Sequence, residues 1–329
     1  MSTYFITGGT GSLGKALMDR LLRQGHDVVI YSRDEGKQAT MTNDVKKIIG
    51  DIRDYDKLKV SISRTKPDYI IHAAALKRID DMEFYPDECV KTNVNGSENV
   101  ARAALECGIE KTILVSTDKA CKPINVYGST KFIAERIFTN HDYNSNSDSK
   151  FASVRYGNVI ASRGSFIPVF MEWISLGQTI RVTSEEMTRF LFTLEDAVDT
   201  VLDSLHSMEG GEVFVPKLNS YTLPMCIKAL ENIVGVSADI EVVGLRPGEK
   251  LHEDMLAETE LDFTYQVNDS LRCLHSNNVL LQIRPQYGNR EYSDIKFSKY
   301  DGPHFNSSLW VSEDIKQLTK LIARGIADL

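Results

Sequence analysis

Tyr127 and Lys131 lie four residues apart, and ten residues before Tyr127 stands Thr117, just beyond the apolar run Thr112-Ile113-Leu114-Val115. Residues four apart share one face of a helix. A phenol with an ordinary pKa of about 10 is a poor base at neutral pH. A neighbouring ammonium stabilises the phenolate, and the same lysine can hold a nicotinamide ribose. Thr117 can hydrogen-bond the reacting oxygen. The bland alternative is an exposed helical pair, so the chemistry rests on what precedes it.

What precedes it is a glycine-rich turn. Thr7-Gly8-Gly9-Thr10-Gly11-Ser12-Leu13-Gly14 follows the first apolar run, and Gly8, Gly11 and Gly14 are spaced GxxGxxG. Glycines permit a tight turn and let backbone N–H groups approach a pyrophosphate, and the helix N-terminus adds partial positive charge. Between a first strand and a first helix, this spacing predicts dinucleotide binding. After the second run comes Ser32-Arg33-Asp34, with Lys37 one turn on. Arg33 and Lys37 favour the 2′-phosphate of NADP, whereas Asp34 could serve NAD if the strand ended one residue late. Asp51 in Gly50-Asp51-Ile52 suits the adenine edge or, equally, a helix cap.

The elements that position these residues follow from periodicity. Short β-branched or aromatic runs recur at Tyr4–Ile6, Val28–Tyr31, Lys47–Ile49, Tyr69–Ile71, Thr112–Val115 and Ser153–Tyr156, with helical spacing between them at Ser12–Gln24 and Pro86–Cys107. The alternation predicts a Rossmann-like, doubly wound α/β fold with a parallel sheet, and strands without polar alternation are covered on both faces. Further on, helices are expected over Ser165–Leu176, Glu195–Leu205, Thr222–Val234 and Ser312–Ile326, with one more strand at Glu212–Val215. The stretch from about Leu261 reads as irregular. The expected division is a nucleotide-binding domain over 1–157 plus about 186–216, and a smaller substrate-binding lobe over about 158–185 and 217–329.

Composition limits the function classes. The 329 residues are 42% hydrophobic and 26% charged, with net charge −8, which argues against a nucleic-acid or anionic-membrane surface. No run reaches the roughly 18 uninterrupted apolar residues of a membrane span. Five scattered cysteines without a CxxC pair suggest reduced thiols and a cytoplasmic protein. His72 and His252 lack a metal-ligand spacing, so no metal is expected.

The glycine turn, Asp51, His72-Ala73-Ala74-Ala75, Asn93, Thr117 and Tyr127…Lys131 resemble the extended short-chain dehydrogenase/reductase superfamily. Tyr31-Ser32-Arg33-Asp34, Ala75-Leu76-Lys77, Lys91-Thr92-Asn93, Ser116-Thr117-Asp118-Lys119, Arg155-Tyr156-Gly157-Asn158-Val159, Ser162-Arg163-Gly164-Ser165, Met187-Thr188-Arg189-Phe190, Phe214-Val215-Pro216-Lys217 and Arg246-Pro247-Gly248-Glu249-Lys250-Leu251-His252-Glu253 further resemble the configuration-inverting UDP-N-acetylglucosamine 4,6-dehydratases. The likeness runs to about Met255 and fades over 261–307. Arg78 stands where that family leads one to expect His, and Cys121 lies in a variable part of the active loop.

The resemblance implies NADP held by Thr7, Gly8, Thr10, Gly11, Ser12, Leu13 and Gly14, by Ser32, Arg33, Asp34, Lys37, Asp51 and Ile52, and by Ala73, Ala74, Ala75, Asn93, Tyr127 and Lys131. It also implies a UDP-sugar substrate. Tyr127 would take the C4-hydroxyl proton, Asp118 would be the acid at C6 and Lys119 the base at C5. Retaining dehydratases carry an acidic residue where Lys119 stands. Lys77 and Asn158 are implied near the sugar and first phosphate, Arg163, Gly164, Ser165 and Phe166 along the diphosphate and uracil, and Thr183 near the uridine. Arg246 is implied as a phosphate ligand, with Arg189 and Glu249 beside it, although each arginine alone could be a salt-bridge partner. Asp118-Lys119 could likewise be a helix cap with a solvated neighbour. The rival readings are a 4-epimerase, a retaining dehydratase and a non-catalytic NADP-binding regulator. Homo-oligomers, dimers or hexamers, are expected.

Overall fold

Phe5, flanked by Tyr4 and Ile6, sends its ring to the opposite side of the first strand from theirs, and all three are buried. That alternation along β1 (Thr3–Thr7) is why the strand needs helices on both faces. The computed structural model describes residues 1–144, 148–160, 162, 164–267, 270–273 and 298–327.

The first half builds α1 (Ser12–Arg23), β2 (Asp27–Ser32), α2 (Glu35–Ala39), β3 (Lys46–Ile49), α3 (Tyr55–Thr65) and β4 (Tyr69–His72), then α4 (Ile79–Phe84), α5 (Pro86–Cys89), α6 (Gly96–Glu106), β5 (Lys111–Val115), α7 (Val126–Asn144) and β6 (Lys150–Val154). There follow β7 (Asn158–Val159), α8 (Phe166–Ser175), β8 (Ile180–Val182), β9 (Thr188–Phe192), α9 (Leu194–Ser207), β10 (Val213–Pro216), β11 (Ser220–Thr222) and α10 (Leu223–Val234). Last come β12 (Ile240–Val242), β13 (Asp254–Leu256), β14 (Thr264–Val267), β15 (Ser270–Cys273), β16 (Ser298–Lys299), β17 (Phe305–Asn306) and α11 (Ile315–Ala327).

Seven strands pair in parallel in the order β3-β2-β1-β4-β5-β6-β10, the doubly wound arrangement that the alternating text predicts. Tyr4, Ile6, Ile30, Ile71 and Ile113 pack with α1 and α9 on one face; Phe5, Val29, Ile70 and Leu114 pack with α3, α6 and α7 on the other. Beyond β10 the antiparallel strands β15, β14 and β16 extend the same sheet to ten strands. Strand pairing cuts across the sequence segments: Thr264–Val267 and Ser270–Cys273 join the large sheet, and Thr188–Phe192 pairs with β7 and β11 in a small separate sheet. The text from 261 read as irregular because short antiparallel strands carry no strong apolar period. A second core gathers Ile167, Phe170, Leu223, Ile227, Leu230, Leu318 and Ile322 from α8, α10 and α11.

Two local departures bear on the site. Between α5 and α6, Val90–Asn95 winds as a π-helix, so the helix expected over Pro86–Cys107 is broken by a wider turn that leaves Asn93 buried. The strand expected over Ser153–Tyr156 instead ends at Val154, and the fully buried Arg155 binds both Glu135 and Glu260 through paired hydrogen bonds of 2.8–3.0 Å. Replacing Arg155 by Met strands two buried carboxylates. A loss of about 3–5 kcal/mol is expected in chemical denaturation, since removing one partner of a buried ion pair leaves uncompensated charge.

Candidate active site

The glycine turn fits a dinucleotide. Gly8 has φ +71°, and a Cβ there would lie 2.7 Å from Cα of Ala74, so β1 and the chain after β4 approach closely only through glycine. The Gly8 and Gly11 N–H groups donate to Tyr31 O and Gly8 O, both at 2.9 Å. Helix α1 starts at Ser12 behind Gly11, with no side chain capping it, which leaves its first N–H groups open to an anion. Thr10, Leu13 and Gly14 are buried, and Ala73, Ala74 and Ala75 are half-buried. Thr7 Oγ1 lies 2.6 Å from His72 Nδ1, whose Nε2 is 3.0 Å from Ser97 Oγ. Burial first, then the Lys131 charge, pull the His72 pKa down to about 3, so this ring is a neutral strut.

At the second strand end, Ser32 is buried and Arg33 is half-exposed, 3.5 Å from Asp51. Asp34 caps α2: its carboxylate accepts from Lys37 N at 2.9 Å and pairs with the Lys37 ammonium. Asp51 is not a helix cap, a place Asp54 takes. Burial raises the Asp51 carboxyl, but hydrogen bonds from Arg53 and the charges of Arg33 and Arg53 outweigh it and hold it below its ordinary value. Ile52 is buried beneath it. Asn93 clasps the loop after β4 in both directions: Oδ1 accepts from Leu76 N at 2.8 Å and Nδ2 donates to Leu76 O at 2.9 Å.

The catalytic candidates converge at the end of β5. Asp118 N donates to Tyr156 O at 3.0 Å, tying the turn to the chain beyond β6. Thr117 Oγ1 donates to Asp118 Oδ1 at 2.9 Å, and Lys119 Nζ donates to the same oxygen at 3.0 Å. The other Asp118 oxygen is buried without a partner. Helix α7 presses onto this turn at Gly128, where a Cβ would lie 2.2 Å from Lys119 O. That close approach sets Tyr127 where the Thr117 hydroxyl acts on its phenol. Lys131 is buried one turn on.

The electrostatics correct one expectation. Burial raises the Tyr127 phenol; the Thr117 hydrogen bond opposes this, while Asp118 and Glu253 reinforce it. Lys131 does not offset these effects. Burial pulls its own pKa down to about 8 against the attraction of Glu135. Lys119 also departs from what a resting base needs. Burial lowers it, yet Asp118 and Glu253 outweigh burial and the repulsion of Arg189, so it is held as an ammonium.

The sequence profile of a family described as polysaccharide biosynthesis protein matches residues 4–274. The chain belongs to this family. Two Campylobacter jejuni proteins named UDP-N-acetylglucosamine 4,6-dehydratase (inverting) are 37% and 41% identical to it over 96% of both chains. A Rickettsia conorii protein named UDP-glucose 4-epimerase is 39% identical over 82% of each. Among solved structures, Pen from Bacillus thuringiensis superposes with a TM-score of 0.88 at 30% identity, over 100% of this chain and 98% of that one. The fold is that of the short-chain dehydrogenase/reductases.

The substrate candidates of this family member are less tightly gathered. Arg163 lies outside the described residues. Asn158 Oδ1 and Ser165 Oγ are buried without partners, beside Gly164 at φ +76° and a half-buried Phe166. Thr183 is buried and donates to Met187 Sδ at 3.4 Å. Lys77 is exposed, and Arg78 points to Asp81 at 3.0 Å on the surface. Arg246 is exposed, 3.3 Å from Asp80. Arg189 is buried and donates to the carbonyls of Thr188, Lys250 and Leu251, with Glu249 3.8 Å away, so it braces the Arg246–Glu253 turn. Sequence reasoning omitted Asn125 and Glu253. Asn125 joins Gly248 O at 2.8 Å to Gly128 N at 2.7 Å, linking that turn to the Tyr127 helix. Glu253 is buried, 3.4 Å from Lys119 Nζ. Its one available signal was its place in the Arg246–Glu253 motif. Among the described residues no helix is long and apolar enough to cross a membrane, and Cys89, Cys107, Cys121 and Cys226 are free thiols.

Proposed function

We propose that the protein is an NADP-dependent UDP-N-acetylglucosamine 4,6-dehydratase that inverts C5, giving UDP-2-acetamido-2,6-dideoxy-β-L-arabino-hex-4-ulose. The observation that carries the reading is the Asp118–Lys119 pair, 3.0 Å apart with Asp118 buried and Lys119 half-buried, beside Thr117 and Tyr127. A 4-epimerase needs Tyr127 and Lys131 but has no use for an acid and a base together at C5 and C6.

Bound NADP supplies the hydride acceptor for C4 and the donor for C6. The chain's own groups manage the protons. Tyr127 takes the O4 proton. The C5 proton, acidified by the 4-ketone, passes to the Lys119 amine as O6 leaves with a proton from Asp118, forming water. The two groups start with one proton on the Asp118 carboxyl and a free Lys119 amine, the tautomer of the ion pair seen here, and end as that ion pair. Lys119 then returns its proton to the opposite face of C5. One proton remains on Tyr127 and one is missing from Asp118. Thr117 donates to Asp118 and its hydroxyl acts on the Tyr127 phenol, so it lies on the route that restores them.

NADP is favoured over NAD because β2 ends at Ser32 and Asp34 is engaged in capping α2, which leaves Arg33 for a 2′-phosphate. Arg33→Asp should reverse the preference, read as the ratio of NADP to NAD affinities, because the new carboxylate repels the phosphate and accepts from the hydroxyl. Nucleotide released from denatured protein should be NADP(H); NAD alone would sink the Arg33 argument. The named Rickettsia relative keeps a 4-epimerase as the second reading. Incubation with UDP-N-acetylglucosamine separates them: a dehydratase lowers the mass by one water without accumulating NADPH, whereas an epimerase leaves the mass unchanged. A cytoplasmic homo-oligomer and a two-lobe arrangement complete the proposal.

A further inference from the structure

Glu253 has no place in the scheme so far, yet it faces the reacting lysine. Its side chain is 3% exposed, Oε1 lies 3.4 Å from Lys119 Nζ, and Oε2 is buried with no hydrogen-bond partner. Lys250 Nζ is 3.8 Å from Oε2 but donates to Cys121 O at 2.7 Å. The backbone is pinned on both sides by Ser307: Glu253 N donates to Ser307 Oγ, and Ser307 N donates to Glu253 O, each at 2.8 Å. The next residue, Asp254, engages Asn306 at 2.9 Å instead. A buried carboxylate that lacks hydrogen bonds is costly unless a charge compensates it. The fold nevertheless fixes this one against Lys119.

We propose that Glu253 is a positioning residue for the elimination, forming with Asp118 a two-carboxylate seat that holds the Lys119 nitrogen and takes up the charge it gains from C5. The inference rests on the dehydratase reading. In that step the C5–H bond breaks and an N–H bond forms on Lys119. The C5 electron pair becomes the C5–C6 double bond, and O6 departs as water with the proton of Asp118. Lys119 is then an ammonium between Asp118 and Glu253.

The groups that set its charge are Asp118 on its own turn, Glu253 and Lys250 on the segment after the Arg246 turn, Arg189 on β9, and the phenols of Tyr127 and Tyr156. Both carboxylates favour the ammonium, and Arg189 opposes it. Removing Glu253 therefore makes Lys119 easier to deprotonate.

The test uses the purified protein with its bound nucleotide. Trace acetylation of Lys119 from about pH 6 to 11, read by mass spectrometry, gives a titration midpoint without requiring turnover. Glu253→Gln should lower that midpoint by about 1–3 pH units, and the alkaline limb of the kcat profile, where the proton shared by Asp118 and Lys119 is lost, should move down with it, with a lower plateau from the weaker base. Glu253→Asp keeps the charge but withdraws it by one methylene, so its midpoint should fall between the two, and this variant carries the test if the amide folds poorly. A Lys119 midpoint unchanged in both variants overturns the proposal, because a merely structural glutamate would leave it there. If the wild-type protein removes no water from the sugar, the activity reading fails instead, and the midpoint shift reports that separately.

Discussion

Lys119→Met should stop dehydration after the sugar is oxidised at C4. Methionine keeps the apolar stem and removes the nitrogen that lies 3.0 Å from Asp118 and 3.4 Å from Glu253. A positioned general base contributes on the order of 10²–10⁴-fold, and the loss here should reach at least that range. The reason is that no other amine stands between the two carboxylates: Lys119 lies on a turn against which α7 packs through Gly128, with Asp118 and Glu253 on either side of the missing nitrogen. The diagnostic result is a split phenotype. Dehydration falls, while a transient 4-keto sugar with reduced nucleotide, absorbing at 340 nm, should build up to at most one equivalent per site. A Lys119→Met protein that still makes inverted product near the wild-type rate would overturn the assignment.

Tyr127→Phe should fail one step earlier. The ring keeps its packing against the turn, but nothing remains to take the O4 proton, so neither reduced nucleotide nor 4-keto sugar should form while nucleotide binding persists. The expected drop in turnover is at least as large as for Lys119, since every later step depends on the ketone. The comparison also exposes the correction at this site. In the protein alone, burial and the Asp118 and Glu253 charges raise the phenol, and Lys131 is itself pulled to about 8. In the protein alone Tyr127 is therefore a protonated phenol. Equilibrium binding of NADP to Tyr127→Phe at near wild-type affinity, with no absorbance change on adding sugar, is the expected pair of observations. A variant that still reduces the nucleotide would show that another group takes the proton.

The sheet was legible because its strands are buried on both faces: Tyr4-Phe5-Ile6 and Val28–Tyr31 have no polar alternation, and only a helix-covered parallel sheet tolerates that. The glycine turn and the Tyr127–Lys131 pair were legible because sterics and helical period tie residue type to spacing. What escaped was tertiary. The π-turn at Val90–Asn95 has no sequence period of its own, yet it buries Asn93, which then grips Leu76. Arg189 read as a substrate residue beside Arg246 because nothing local announces that its donors meet the carbonyls of Lys250 and Leu251. Glu253 lies 134 positions from Lys119 in the chain, and tertiary contacts such as the Ser307 clasp and the Lys250–Cys121 hydrogen bond bring them together. The direction of the Lys119 shift was likewise unreadable without those two carboxylates in place.

On the proposed mechanism this site removes a C5 proton and returns one to the opposite face. Turnover of UDP-N-acetylglucosamine by the wild-type protein in deuterium oxide, followed by proton NMR of the sugar before it can isomerise further, tests that claim most directly. Loss of one water, solvent deuterium at C5 and the L-arabino configuration of the 4-keto-6-deoxy product are expected. A product with the D-xylo configuration at C5, or a 4-epimer that retains its C6 hydroxyl and carries no deuterium, would contradict it.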